Sequence, residues 1–107
     1  MNKESRVLGL IGITKKAGKI ACGIEAVEET IKMQKARLVL IATDASEKTK
    51  QNVTYCCVKY HIPIAIFSTI ESISNAIGKS NKAVISIKDK NLGEEIYKII
   101  CGGGAIG

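Results

Sequence analysis

Residues 23–44, GIEAVEETIKMQKARLVLIATD, decide the fold. Gly23 opens a turn, Ile24, Val27 and Ile31 recur at the spacing of one helical face, and Lys35-Ala36-Arg37 then leads into an unbroken apolar run from Leu38 to Ala42. The stretch reads as turn, helix over 23–34, turn and strand. Because the strand's apolar run does not alternate, helices are expected over both of its faces. Glu25, Glu28 and Glu29 fall in the early turns of the helix, where its dipole favours negative charge, and Glu28 is spaced to pair with Lys32.

Working back toward the start, residues 4–16 place Val7, Leu8, Leu10 and Ile11 on a stripe with Ile13 at its margin. Lys15, Lys16 and Gly18 suit the end of that helix. Gly9 and Gly12 inside it each cost about 1 kcal/mol relative to Ala, so they are expected to admit a neighbouring element. Residues 20–22 form a short strand at most.

Working forward, Ser46 suits the start of a helix over about 47–60, with Val53, Cys57 or Val58, and Tyr60 facing inward. His61-Ile62-Pro63 stops it. A strand over 64–67, a helix over 69–77 closed by Gly78, a polar loop over 79–82, a strand over 83–87 and a helix over 91–101 capped by Asn91 complete the chain. Strands alternating with helices through short connections imply one α/β domain over 1–101, a three-layer α/β/α sandwich around about four strands. Residues 102–107 read as a flexible glycine-rich tail, and pattern alone leaves the strand order open.

Composition excludes several functions. The four aromatic residues, Tyr55, Tyr60, Phe67 and Tyr97, leave an aliphatic core and no base-stacking platform. No apolar run approaches a membrane span and residues 1–5 open polar, so no membrane partner is expected and the location expected is the cytoplasm. Cys22, Cys56, Cys57 and Cys101 lack a CxxC pair, and adjacent Cys56 and Cys57 would diverge on a helix, so reduced thiols without a metal or cofactor are expected. His61 has no acidic orienter in reach of the sequence, which argues against an enzyme.

The formal charge of +6 favours anionic partners, and residues 1–19 concentrate it, with Lys3, Arg6, Lys15, Lys16 and Lys19 against Glu4. Lys15, Lys16 and Lys19, the start of the second helix and the loop Ser68-Thr69-Ile70 are expected to share one surface at one end of the sheet. A helix start offers free amides to phosphate there.

Lys16-Ala17-Gly18-Lys19 leading into Gly23, the run 35–44, Tyr60-His61-Ile62-Pro63 and Ala76-Ile77-Gly78 together resemble the kink-turn RNA-binding ribosomal proteins, the L-seven-Ae and L-thirty-e group, over roughly 5–100. The resemblance implies the same sandwich fold, a non-enzymatic RNA-binding activity and a structured partner, kink-turn or ribosomal RNA; the sequence leaves the oligomeric state open, with a monomer favoured. It implies RNA contacts at Lys16, Gly18, Lys19, Gly23, Ile24, Glu25, Ala26 and Glu29, and at Ser68, Thr69 and Ile70 in a second loop.

The family carries Gly-Thr-Asn-Glu at the start of its second helix, with a lysine three residues later. Here Gly23 keeps its place, while Ile24, Glu25, Ala26 and Glu29 stand where Thr, Asn, Glu and Lys are expected, and Ile73-Ser74 replaces a Leu-Gly pair. A carboxylate only accepts hydrogen bonds, so Glu25 would meet the acceptors of guanine with repulsion, and Glu29 lies on the same face. These departures keep a second reading open, a protein-interaction module that retains the fold without kink-turn recognition. A third reading, the substrate-binding domain of an RNA methyltransferase, lacks the second domain it would need.

Overall fold

A computed structural model describes residues 2–102, so the expected tail falls, after Gly102, outside the described residues. The elements run α1 (Lys3–Lys16), β1 (Ile20–Cys22), α2 (Ile24–Lys32), β2 (Leu38–Ile41), α3 (Glu47–Lys59), β3 (Ile64–Ile66), α4 (Ile70–Ala76), β4 (Val84–Ile87) and α5 (Lys90–Ile100). One four-stranded sheet has the order β1-β4-β2-β3. β2 and β3 are parallel, whereas β4 runs antiparallel to both β1 and β2.

The non-alternating strand is covered on both faces, as its composition requires. Leu38 and Leu40 pack with Val7 and Ile11 of α1, Ile73 of α4 and Ile96 of α5. Val39 and Ile41 point the other way, to Val27 and Ile31 of α2 and Val53 and Cys57 of α3. This is the three-layer α/β/α sandwich. All four residues of β2 have no exposed surface, and each Leu or Ile truncated to Ala there would cost about 2–5 kcal/mol.

One polar pair interrupts the second layer. Thr30 of α2 and Ser86 of β4 are buried with their hydroxyls 2.9 Å apart. Thr30 Oγ1 donates its one proton to the Val27 carbonyl at 2.7 Å, so Ser86 donates to Thr30.

Several local expectations change in three dimensions. Ile13 is 55% exposed and Val58 65% exposed, so neither belongs to the inward stripe, and Cys57 takes the inward place on α3. Ile24, the first residue of α2 just past the end of β1, is 41% exposed. Gly12 does meet a neighbour, with the position of a missing Cβ 3.6 Å from the Ala76 carbonyl, but Gly9 faces nothing within 4 Å. The cap of α5 is Asp89, whose carboxylate accepts from the Leu92 amide at 2.8 Å, and Asn91 lies inside the helix. The Glu28 and Lys32 spacing gives no ion pair among the described residues, which hold Arg6–Glu95 and Lys50–Glu47.

Candidate functional site

Strands β1, β2 and β3 end, and helices α1 to α4 begin, at one end of the sheet, fixed by the register of Cys22 with Ile85 and of Ile41 with Val84 and Ile66. In open α/β sheets the ends of strands are the usual place for ligands. Gly23 follows the last residue of the edge strand β1 at this end. With φ 93° and ψ 157° it occupies backbone space open essentially to glycine, and its amide donates to the Val84 carbonyl at 2.9 Å.

The start of α2 differs from its neighbours. Asn2, Ser46 and Thr69 each cap their helix with a side chain, whereas Gly23 has none to offer. The first amides of α2 therefore lack a side-chain acceptor and are available to an external anion. Lys82 lies across this start, its Nζ 3.6 Å and Cδ 3.8 Å from where a Gly23 Cβ would stand. The backbone of Lys82 is held by Ser74, which accepts from its amide at 2.8 Å and donates to its carbonyl at 3.3 Å.

The second loop is fastened to the first end by hydrogen bonds. Thr43 donates to the Ser68 carbonyl from its amide at 2.8 Å and its hydroxyl at 2.7 Å, and the Ile70 amide donates to Asp44 Oδ1 at 2.8 Å. Ser68 adopts a positive φ of 59°, and its hydroxyl donates to the Glu4 carboxylate. Thr69 is exposed while Ser68 and Ile70 are half-buried. Thus Gly23, Ile24, Glu25, Ala26, Glu29, Ser68, Thr69 and Ile70 gather at one end, with Glu25 and Glu29 exposed and Ala26 half-buried.

Lys16, Gly18 and Lys19 do not join them. The Lys19 carbonyl accepts from Lys88 beyond the opposite end of β4, and Gly18 and Lys19 line a cleft with Arg37 and Lys88. β1 intervenes: from Lys19 to Gly23 an extended chain rises about 13 Å at 3.3 Å per residue. The expected single surface is therefore two surfaces at opposite ends of the sheet. Lys82, Thr43 and Asp44 are the residues that sequence reasoning left out of the first. Asp44 closed the apolar run that located β2, but its task of holding Ile70 depends on β3 lying beside β2.

Among the described residues nothing at either end is arranged for nucleophilic chemistry. All four cysteines are free, and Cys56 and Cys57 are buried. Burial pushes the Cys57 thiol up to about 12, with Cys56 adding to it, and burial followed by Glu28 raises Cys56. His61 is exposed at the turn after α3. Among the described residues no group of His, Cys, Asp and Glu could hold a metal ion, and no helix is long and apolar enough to cross a membrane.

Comparison with known proteins places this architecture. Residues 5–96 match the ribosomal protein L7Ae/L30e/S12e/Gadd45 family, and the chain belongs to that family. Its proteins of this kind are non-enzymatic. A curated relative from Enterococcus faecium, named RNA-binding protein YlxQ, is 36% identical over 105 residues, covering 95% of this chain and 100% of the relative. The protein of the same name from Bacillus subtilis (strain 168) is 28% identical over 91 residues, or 85% of this chain and 91% of that one. A solved structure of a protein of unknown function from Bacillus halodurans C superposes with a TM-score of 0.88 at 28% identity, covering 92% of this chain and 99% of the other. The Giardia lamblia 15.5kD RNA binding protein shares the fold, with a TM-score of 0.79 at 22% identity over 100% of this chain and 92% of its own.

Proposed function

We propose that this chain is a non-enzymatic RNA-binding protein that docks the start of α2 and the Ser68 loop on a sharply bent, structured RNA of the kink-turn kind, in association with the ribosome. It acts as a cytoplasmic monomer without a cofactor. The observation that carries the reading is the meeting of three features at one end of the sheet: the uncapped start of α2 at Gly23, Lys82 lying across it, and a loop fastened by Thr43 and Asp44. The amides and the ammonium suit phosphate, while the exposed Thr69 offers a hydroxyl. The names of the relatives support RNA as the partner.

Glu25 and Glu29 shape the specificity. Both are exposed beside the α2 start, where Asn and Lys would read guanine, so base readout is weakened and recognition leans on the shape and backbone of the RNA. The same two residues favour the second reading, an interaction module on this fold. Binding of a kink-turn RNA by Lys82→Ala discriminates between them. Loss of one phosphate contact should weaken binding and flatten the dependence of log Kd on log salt by about one unit. An affinity and slope equal to those of the wild-type chain would place RNA elsewhere and favour the module.

A further inference from the structure

At the opposite end of the sheet, Lys19, Lys35, Arg37 and Lys88 surround a cleft of about 300 Å³ whose remaining walls are Gly18 and Gln34. No acid lines it. The four cations come from three segments tied together by the sheet: the Lys88 amide donates to the Lys19 carbonyl at 2.7 Å, the Arg37 amide to Ile87 at 2.7 Å and the Lys35 amide to Thr30 at 2.8 Å. Their backbone spacing is thus set before any ligand arrives.

Lysines near helix ends ordinarily answer the negative end of the dipole, which accounts for Lys15, Lys16, Lys32 and Lys59 in the last turns of α1, α2 and α3. It does not account for Lys19, Arg37 and Lys88, which flank strands. Among the described residues none of the four cleft cations forms an ion pair. Asp89, the acid adjoining Lys88, is engaged in capping α5. Positive charge gathered on a fixed frame without an internal partner is free to meet an external anion.

We propose that this cleft is a second RNA contact, which holds the phosphate backbone of duplex RNA without reading its bases, so that the chain grips RNA at both ends of its sheet. The lining fits a phosphodiester backbone better than an acidic protein segment. Cations suffice to hold phosphates, whereas a protein partner needs buried apolar or aromatic anchors, and none of the six lining residues supplies one.

The test uses the full chain and a perfectly paired RNA duplex with no bend. The wild-type chain should bind it with a salt dependence that Lys19→Gln, Lys35→Gln and Lys88→Gln together reduce by about two to three units of slope, at 0.9 per phosphate contact, with affinity at low salt down by more than about tenfold. The corresponding triple Lys→Arg variant, which keeps the charge, should retain duplex binding and its salt dependence. If the triple Gln variant does not fold, Lys19→Gln alone should flatten the slope by about one unit. No binding of the duplex by the wild-type chain, an unchanged slope in the variants, or competition by poly-glutamate as effective as by the duplex would overturn the proposal, the last by assigning the cleft to an acidic protein.

Discussion

Where α1 to α4 begin, each helix carries an acid in its first turn, Glu4, Glu25, Glu47 and Glu71; where they finish, α1, α2 and α3 carry Lys15, Lys16, Lys32 and Lys59. Parallel alignment of the four helix axes turns this local preference into a molecule with two unlike ends. The first end is nearly balanced in charge and owes its chemistry to geometry: Gly23, the amides of α2, and the Thr43 and Asp44 fastenings. The far end is basic and owes its chemistry to number. A net charge of +6 therefore does not locate the proposed recognition surface, because helix energetics alone move lysines away from it.

The sharpest way to break this comparison is to change the first end while leaving the far end alone. Glu25→Asn, Ala26→Glu and Glu29→Lys in one variant should tighten kink-turn binding about 5- to 150-fold, since a bidentate base contact is worth about 1–3 kcal/mol. None of the three belongs to the buried Val27, Thr30 and Ile31 face, so the fold should tolerate them. Binding no better than the wild-type chain in a folded variant would remove Glu25 and Glu29 from any RNA surface.

Two glycines sharpen the comparison further. Gly23→Ala should cost about 1–3 kcal/mol in denaturant unfolding, because its backbone lies where side chains are strained, and should weaken RNA binding by disturbing the start of α2. Gly18, at φ 72° with nothing within 4 Å of a Cβ, should accept Asn with little change. Equal losses at the two positions would mean that the first end has no special demand on its backbone.

Changes at the thiols should have the smallest effect. Cys57 binds its proton more tightly in the folded chain than in the unfolded one, so its contribution is whole below an ordinary value near 9.0 and disappears as pH rises toward about 12. Melting temperatures followed across that range should fall more steeply for the wild-type chain than for Cys57→Ala. RNA affinity at neutral pH should be unchanged by Cys101→Ser, an exposed position.

Much of the sandwich was legible because it follows from short-range rules. The run Leu38 to Ile41 had to be covered twice, Ser46 and Thr69 had to begin helices, and Pro63 had to end one. The cap of α5 was missed because Asp89 and Asn91 both suit the role and only the backbone chooses. The site was half legible. Gly23, Ser68, Thr69 and Ile70 do lie at the same end of the sheet, but Lys19 is only four residues from Gly23 in sequence and an intervening strand carries it to the other end. Lys82 reaches Gly23 because β4 runs antiparallel between β1 and β2, a strand order that no local pattern contains.

We propose that the first end recognises the bent form of an RNA and not merely its charge. Affinity for a kink-turn RNA, measured beside the same RNA with its G·A pairs replaced, tests it directly. Tighter binding of the intact kink-turn by about tenfold, equivalent to 1.4 kcal/mol, is the predicted result. Equal, weak and similarly salt-sensitive binding of both would contradict it, leaving a chain that holds RNA by positive charge alone.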